Sequence, residues 1–400
     1  PPPPPPPFFF KAQAGIRHPL WSRGLGDVYK RQGFLHSLVD GHPEVSTLPS
    51  IYLSEYFDHA TWQQLTAGGW DEIVDRCINL YRILFDASDA TPVLTKHKSH
   101  LYELGRTEGL TCVGDQKDEV LGIDKAFFRN ELKQLMGKCS ELNAFSFFQL
   151  MTQAYDRAIG DIKKKSLIFY HIHNPSLLAQ VNLLSLAPNT QWITMVREPL
   201  QSLESWVRIP FNENKCYVIA DSISSMLLQI SDVSYPRENT VGIRLEDLKR
   251  RPKETIPAMC RWIGIKEHEN LYEMTAQGKR WWGDPNSPDY TKDGMKPFGT
   301  TSIDRKVGDV FSENDLFILR TLFYPFSLRF GYTKKNENQF EIDLEKVRPL
   351  LDNVFDFEKK IVIETKAHTE QFMKSGSYLY LRSGMIQRWN TLNEFHTYPN

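Results

Sequence analysis

The sequence predicts an α/β fold: a central parallel sheet with helices on both faces, in three αβα layers. SLIFYHI (166–172), QWITMV (191–196) and TVGIRL (240–245) are short, nearly continuous apolar runs. Runs of this kind suit parallel strands buried on both faces. Between and after them lie helical stretches, PSLLAQVNLLSLAP (175–188) and segments near 216–233 and 252–263. Strands alternating with helices imply right-handed crossovers onto one sheet.

The elements follow in order. Residues 1–10 read PPPPPPPFFF, a homopolymer pair, and GIRHPLWSRGLGDVYKRQ (15–32) has no steady period. This opening is similar to read-through of sequencing adapters at the ends of gene models from environmental DNA. Residues 1–32 are therefore expected to be non-native and disordered, with a genuine disordered tail as the alternative. The fold is expected to start at Gly33. Phe34, Leu35, Leu38 and Val39 make one apolar helical face, and Gly41 with Pro43 stops that helix. No strand is recognised ahead of it, so the first strand is expected to be missing, and a signal peptide stays an open question.

EVSTLPS (44–50) reads as a short strand. WDEIVDRCINLYRILFD (70–86), DKAFFRNELKQLMG (124–137) and ELNAFSFFQLMTQAYDRAIG (141–160) carry apolar residues at helical spacing. SENDLFILRTLFYPFSLRFGY (312–332) opens on a Ser312/Asp315 capping pattern and closes at Gly331. The expected organisation is a domain over 33–332 and a polar helical extension over 333–400. There is no internal repeat.

Composition bounds the function. Of 400 residues, 48 are Lys or Arg and 49 are Asp or Glu, a formal charge of −1. That balance gives no sign of nucleic-acid binding, so any anion site must be local. The five cysteines, Cys77, Cys112, Cys139, Cys216 and Cys260, are odd in number and never form C-x-x-C. They read as reduced thiols of a cytoplasmic protein, with no disulfide framework and no metal. No apolar run approaches the ~20 residues of a membrane span.

The chemistry concentrates in MVREPLQSLESW (195–206). Arg197 follows a buried strand, at the end of the sheet where open α/β folds bind ligands. Ser205 lies eight residues on. The arginine can offer a fork of donors to a phosphate, and the serine a hydroxyl. Taken alone, the pair reads equally as a sheet-edge arginine and a helix-face serine.

In this context the pair resembles the 3′-phosphate-binding motif of sulfotransferases that use 3′-phosphoadenosine-5′-phosphosulfate (PAPS). GFLHSLVDGHPEVSTLPS (33–50) is similar to the helix and second strand after their phosphosulfate-binding loop. GIRLEDLKRRPKETIPAMCRWIGI (242–265) resembles their strand–EDL–P–helix–Gly segment, and FGTTSIDRKVGD (298–309) their late cofactor loop. The resemblance runs from 33 to 332. It implies a P-loop-containing nucleoside triphosphate hydrolase-like fold, PAPS as donor, no metal, and a small-molecule, carbohydrate or lipid acceptor.

On the same resemblance, HIHNP (171–175) is similar to the Lys-x-His-x-Pro element whose histidine is the catalytic base. His173 matches that histidine, and His171 replaces the lysine. Imidazole titrates near neutral pH, which suits removal of an acceptor proton. Arg305 and Lys306, with Gly308 behind them, match a shortened Arg-Lys-Gly motif over the donor phosphate; a solvated surface pair is the alternative. Gly33 and Phe34 stand just after the expected loop. Phe34 suits either adenine stacking or core packing. Leu245 replaces the family's tyrosine. Trp281 and Trp282 suit an acceptor pocket or ordinary loop packing.

The phosphosulfate loop itself is not recognised: Lys30-Arg31-Gln32 stand where a Lys/Arg-x-Gly-Thr sequence is expected. The chain as written is therefore expected to bind PAPS weakly and to transfer no sulfate. Two further readings are a P-loop kinase or other nucleotide phosphotransferase, with Glu198 the nearest acid to a strand end, and a non-catalytic carbohydrate-binding homologue.

Overall fold

The computed structural model describes residues 8–12, 26–49, 53, 55–89, 91–93, 100–163, 165–172, 177–229, 239–285, 287 and 289–394. The chain is mixed α/β and mostly helical. It divides into two compact units. One comprises Pro1–Gln13, Tyr29–Met195 and Glu246–Ser302; the other comprises Ala14–Val28, Val196–Leu245 and Ile303–Asn400.

The first unit holds a parallel sheet. Its strands Val45–Thr47, Leu167–Ile172, Phe8–Ala12 and Gln191–Val196 lie side by side in that order. Leu167–Ile172 and Gln191–Val196 form where the apolar runs predict them. Phe169, Tyr170, Trp192 and Ile193 of these strands are buried.

Two expectations about the opening residues are corrected. Phe8–Ala12 is a strand of the sheet, with Phe8 opposite Ile168 and Ala12 opposite Ile172 on one side, and Phe10 opposite Trp192 on the other. The first helix runs Gly26–Asp40, so Gly33 lies inside it. The physical reason is the cost of an open slot. Without a central strand, two neighbouring edges would each present unpaired N–H and C=O groups. A phenylalanine run has high strand propensity. A homopolymer lacks the periodicity by which strands are recognised.

Three helices of this unit build its apolar core. Ile73–Leu80, Lys125–Met136 and Ala144–Ala158 contribute Val74, Cys77, Phe128, Leu132, Phe147 and Met151, all nearly inaccessible. The last two are capped locally: Asp124 accepts from the amides of Ala126 and Phe127, and Asn143 with Ser146 completes a capping box.

The second unit is helical around one core. Pro199–Asn212, Cys216–Gln229 and Glu313–Leu322 supply Leu203, Val207, Ile223 and Leu319; Glu337–Leu350 and Gly376–Glu394 supply Leu344, Val347, Leu381 and Met385. Residues beyond Tyr332 thus share this core. The predicted cap is present: Ser312 Oγ accepts from Asp315 N at 3.1 Å, and Asp315 accepts from Ser312 N at 3.2 Å. Asp315 also accepts from the amides of Asp356 and Phe357, at 2.9 and 3.0 Å. One buried carboxylate therefore starts two helices. Among the described residues, no helix is long and apolar enough to cross a membrane.

Candidate functional site

The site residues of the second unit are organised by the Pro199–Asn212 helix. Pro199 suits the first turn, where no amide partner exists for a backbone N–H anyway. Glu198 caps the helix by accepting from Gln201 N at 2.6 Å. That bond gives the acid a structural task at the place where a kinase reading would need a metal ligand. Arg197 precedes the cap and is 5% exposed, with Nη2 3.4 Å from Gln201 Oε1. Gln201 and Ser205 follow at four-residue spacing, so they share a helix face.

Onto that face comes the loop after Ile303. Arg305 Nη1 donates to Ser205 Oγ at 3.0 Å. Gly308 N donates to the two oxygens of Glu204 at 3.0 and 2.9 Å, and Asp309 N donates to Oε1 at 2.9 Å. Gly308 has φ +121°, a backbone conformation that L side chains rarely adopt. Arg208 Nη2 pairs with Asp309 at 2.9 Å. Two arginines and a serine from separate motifs are thereby held by one unit. A guanidinium on a hydroxyl, and a second guanidinium just ahead of the same helix, are donors of the kind an anion takes.

The other predicted residues have other placements. Lys306 is exposed. Gly33 is a helix-interior residue, and a Cβ there would meet only the Trp281 ring at an ordinary 3.7 Å. Phe34 is 1% exposed; its ring packs edge-on to Phe298 at 6.3 Å, with Lys249 Nζ 5.4 Å from its centroid. It is a core residue of the first unit, the alternative raised for it above. His173 lies outside the described residues. His171 is buried, with its ring 5.9 Å from that of His36. Trp281 is buried and donates to Glu108 O at 2.9 Å. The Trp282 ring carries Arg280 at 3.7 Å and Lys117 at 4.4 Å from its centroid, so loop packing accounts for both tryptophans.

Two arrangements escaped sequence reasoning. Glu204 precedes Ser205 directly, yet nothing in the sequence says that its carboxylate is buried. Lys249 and Asp289 form a buried ion pair in the first unit, completed by Gly299 O and Ser302 Oγ. A Lys and an Asp separated by 40 residues carry no local signal. The first unit also has a cavity of about 290 Å³ lined by Asp40, Thr47, Asp156, Lys165 and Gln277 among others. Its polar groups bond largely to one another: Asp156 to Ser46, Asp40 to Thr47 and Gly278, Lys165 to Asp161. Among the described residues, no group of three or more His, Cys, Asp or Glu is placed to hold a metal ion.

Comparison with known proteins is sparse. No family profile and no curated protein matches the chain. Among solved structures, the sulfotransferase domain from the Synechococcus PCC 7002 olefin synthase matches with a TM-score of 0.39 and 14% identity, covering 80% of this chain and 95% of that one. The sulfotransferase domain from the curacin biosynthetic pathway matches with a TM-score of 0.22 and 15% identity, covering 61% of this chain and 81% of that one. At these scores the likeness says nothing about chemistry.

Proposed function

We propose that this chain is a PAPS-dependent sulfotransferase in which Arg197, Ser205 and Arg305 hold the 3′-phosphate of the donor. The observation that carries the reading is the hydrogen bond from Arg305 to Ser205. A motif matched to the 3′-phosphate and one matched to a donor phosphate meet at one hydroxyl.

The residues fit the group in part. The buried Arg197 and the Ser205–Arg305 pair suit a phosphate bearing nearly two charges. The Lys/Arg-x-Gly-Thr sequence expected just before Gly33 to cradle the 5′-phosphosulfate is replaced by Lys30-Arg31-Gln32, and residues 13–25 lie outside the described ones. When bound, the donor supplies a sulfuryl group activated by its phosphate leaving group. The chain's own work is positioning and charge stabilisation. His173 would take the proton of an acceptor hydroxyl as the oxygen–sulfur bond forms and the bond from sulfur to the leaving phosphate oxygen breaks. The acceptor is a small molecule, carbohydrate or lipid alcohol on this reading.

The test is a calorimetric titration of the full chain with adenosine 3′,5′-bisphosphate and with adenosine 5′-phosphate, at concentrations up to millimolar. The wild type should prefer the bisphosphate. Arg197→Ala and Arg305→Ala should each erase about tenfold or more of that preference, as expected for loss of a charge-assisted hydrogen bond. Equal wild-type affinity for the two nucleotides overturns the reading.

A further inference from the structure

We propose that Glu204 is a positioning residue for this anion site, setting the 305–309 loop at the register that brings Arg305 to Ser205. The inference rests on the function proposed above and assigns a role that neither motif contains.

Glu204 is 1% exposed, and a carboxylate buried to that extent is costly unless several donors surround it. Its donors come from the loop: Gly308 N reaches both oxygens, and Asp309 N reaches Oε1. Two successive amides converge on one anion because Gly308 has φ +121°, which turns them to the same side. A further link between loop and helix is Arg208 to Asp309. Its side chains are 38% and 66% exposed, so it holds the loop weakly.

The order of residues on the helix then matters. An acid beside Ser205 is the obvious ion-pair partner for an arriving arginine. Glu204 instead takes the loop amides, with Arg208 Nη2 3.8 Å away, and Arg305 meets the neutral hydroxyl of Ser205. The carboxylate thus anchors the loop three residues after Arg305, which limits where the guanidinium can stand.

The test compares wild type, Glu204→Ala, Glu204→Gln and Gly308→Ala as full chains. The readout is the ratio of affinities for adenosine 3′,5′-bisphosphate and adenosine 5′-phosphate. Glu204→Ala should lower the ratio about tenfold through the bisphosphate alone. Glu204→Gln keeps a carbonyl acceptor and should stay within about threefold of wild type. Gly308→Ala strains the same link from the loop side, and should reproduce the loss if Glu204→Ala does not fold. Hydrogen exchange at the Gly308 and Asp309 amides should accelerate in Glu204→Ala. A purely structural glutamate would lower thermal stability and leave the ratio unchanged; that result overturns the inference while the proposed function stands. A wild type without preference for the bisphosphate overturns both.

Discussion

Arg305 Nη1 donates to Ser205 Oγ across 3.0 Å, joining residues 100 positions apart. The bond ties the loop after Ile303 to the second turn of the Pro199–Asn212 helix. Ser205→Ala removes the acceptor and leaves the loop anchored by Glu204. Affinity for adenosine 3′,5′-bisphosphate should fall about three- to tenfold, with little change for adenosine 5′-phosphate. Calorimetry of the two nucleotides checks this. Equal weakening of both would mean the hydroxyl serves the fold rather than the phosphate.

Asp315 starts two helices at once, accepting from Ser312 N within its own capping box and from Asp356 N and Phe357 N of the next helix. Asp315→Ala should cost the second unit about 2–4 kcal/mol, more than a single cap, because three amides, one buried and two part-buried, lose their acceptor. Urea unfolding followed by circular dichroism measures it. A loss under about 1 kcal/mol would show that water replaces the carboxylate.

Lys249 and Asp289 form an ion pair with side chains only 4% and 3% exposed. Breaking such a pair strands a charge, whereas replacing both partners does not. Lys249→Met should destabilise the first unit by about 3–5 kcal/mol, and Lys249→Met with Asp289→Leu should recover much of the loss. A double variant no better than the single one would show that the remaining contacts, to Gly299 O and Ser302 Oγ, matter more than the charge.

The Asp156 carboxyl is pushed up to about 7, chiefly by burial, and the bond from Ser46 and the nearby Lys165 only partly offset this. Its ordinary value is 3.8. Because the folded value is the higher one, folding takes up a proton between these limits. The contribution to stability is therefore greatest below pH 4, declines as pH rises through about 7, and is a constant penalty above that. Asp156→Asn should raise the melting temperature at pH 8 and change it little at pH 4. Equal gains at both pH values would rule out titration of this carboxyl as the cause.

Much of the fold was legible because its signals are local. The apolar run over 191–196 predicts a buried strand, and Gln191–Val196 is that strand. Ser312 and Asp315 predict a helix start from three positions of sequence, and the cap is there. The strand Phe8–Ala12 was not legible, because a phenylalanine run has no period and its place depends on two partner strands far along the chain. Phe34 had two readings from sequence, and the Phe298 ring across from it places it in the core.

The candidate site divides along the same line. Arg197, Ser205 and Arg305 could be named from motifs, since spacing after a strand and the order of cations in a loop survive in the sequence. What those residues touch could not. The burial of Glu204, its hold on the amides of Gly308 and Asp309, and the closure of Lys249 on Asp289 depend on segments brought together by packing. The sequence by itself determined the alternation of elements, their caps and the residue types available for an anion site. Tertiary structure alone decided which charges are buried and which amides they hold, because desolvation and hydrogen bonding at long range have no counterpart in neighbouring residues.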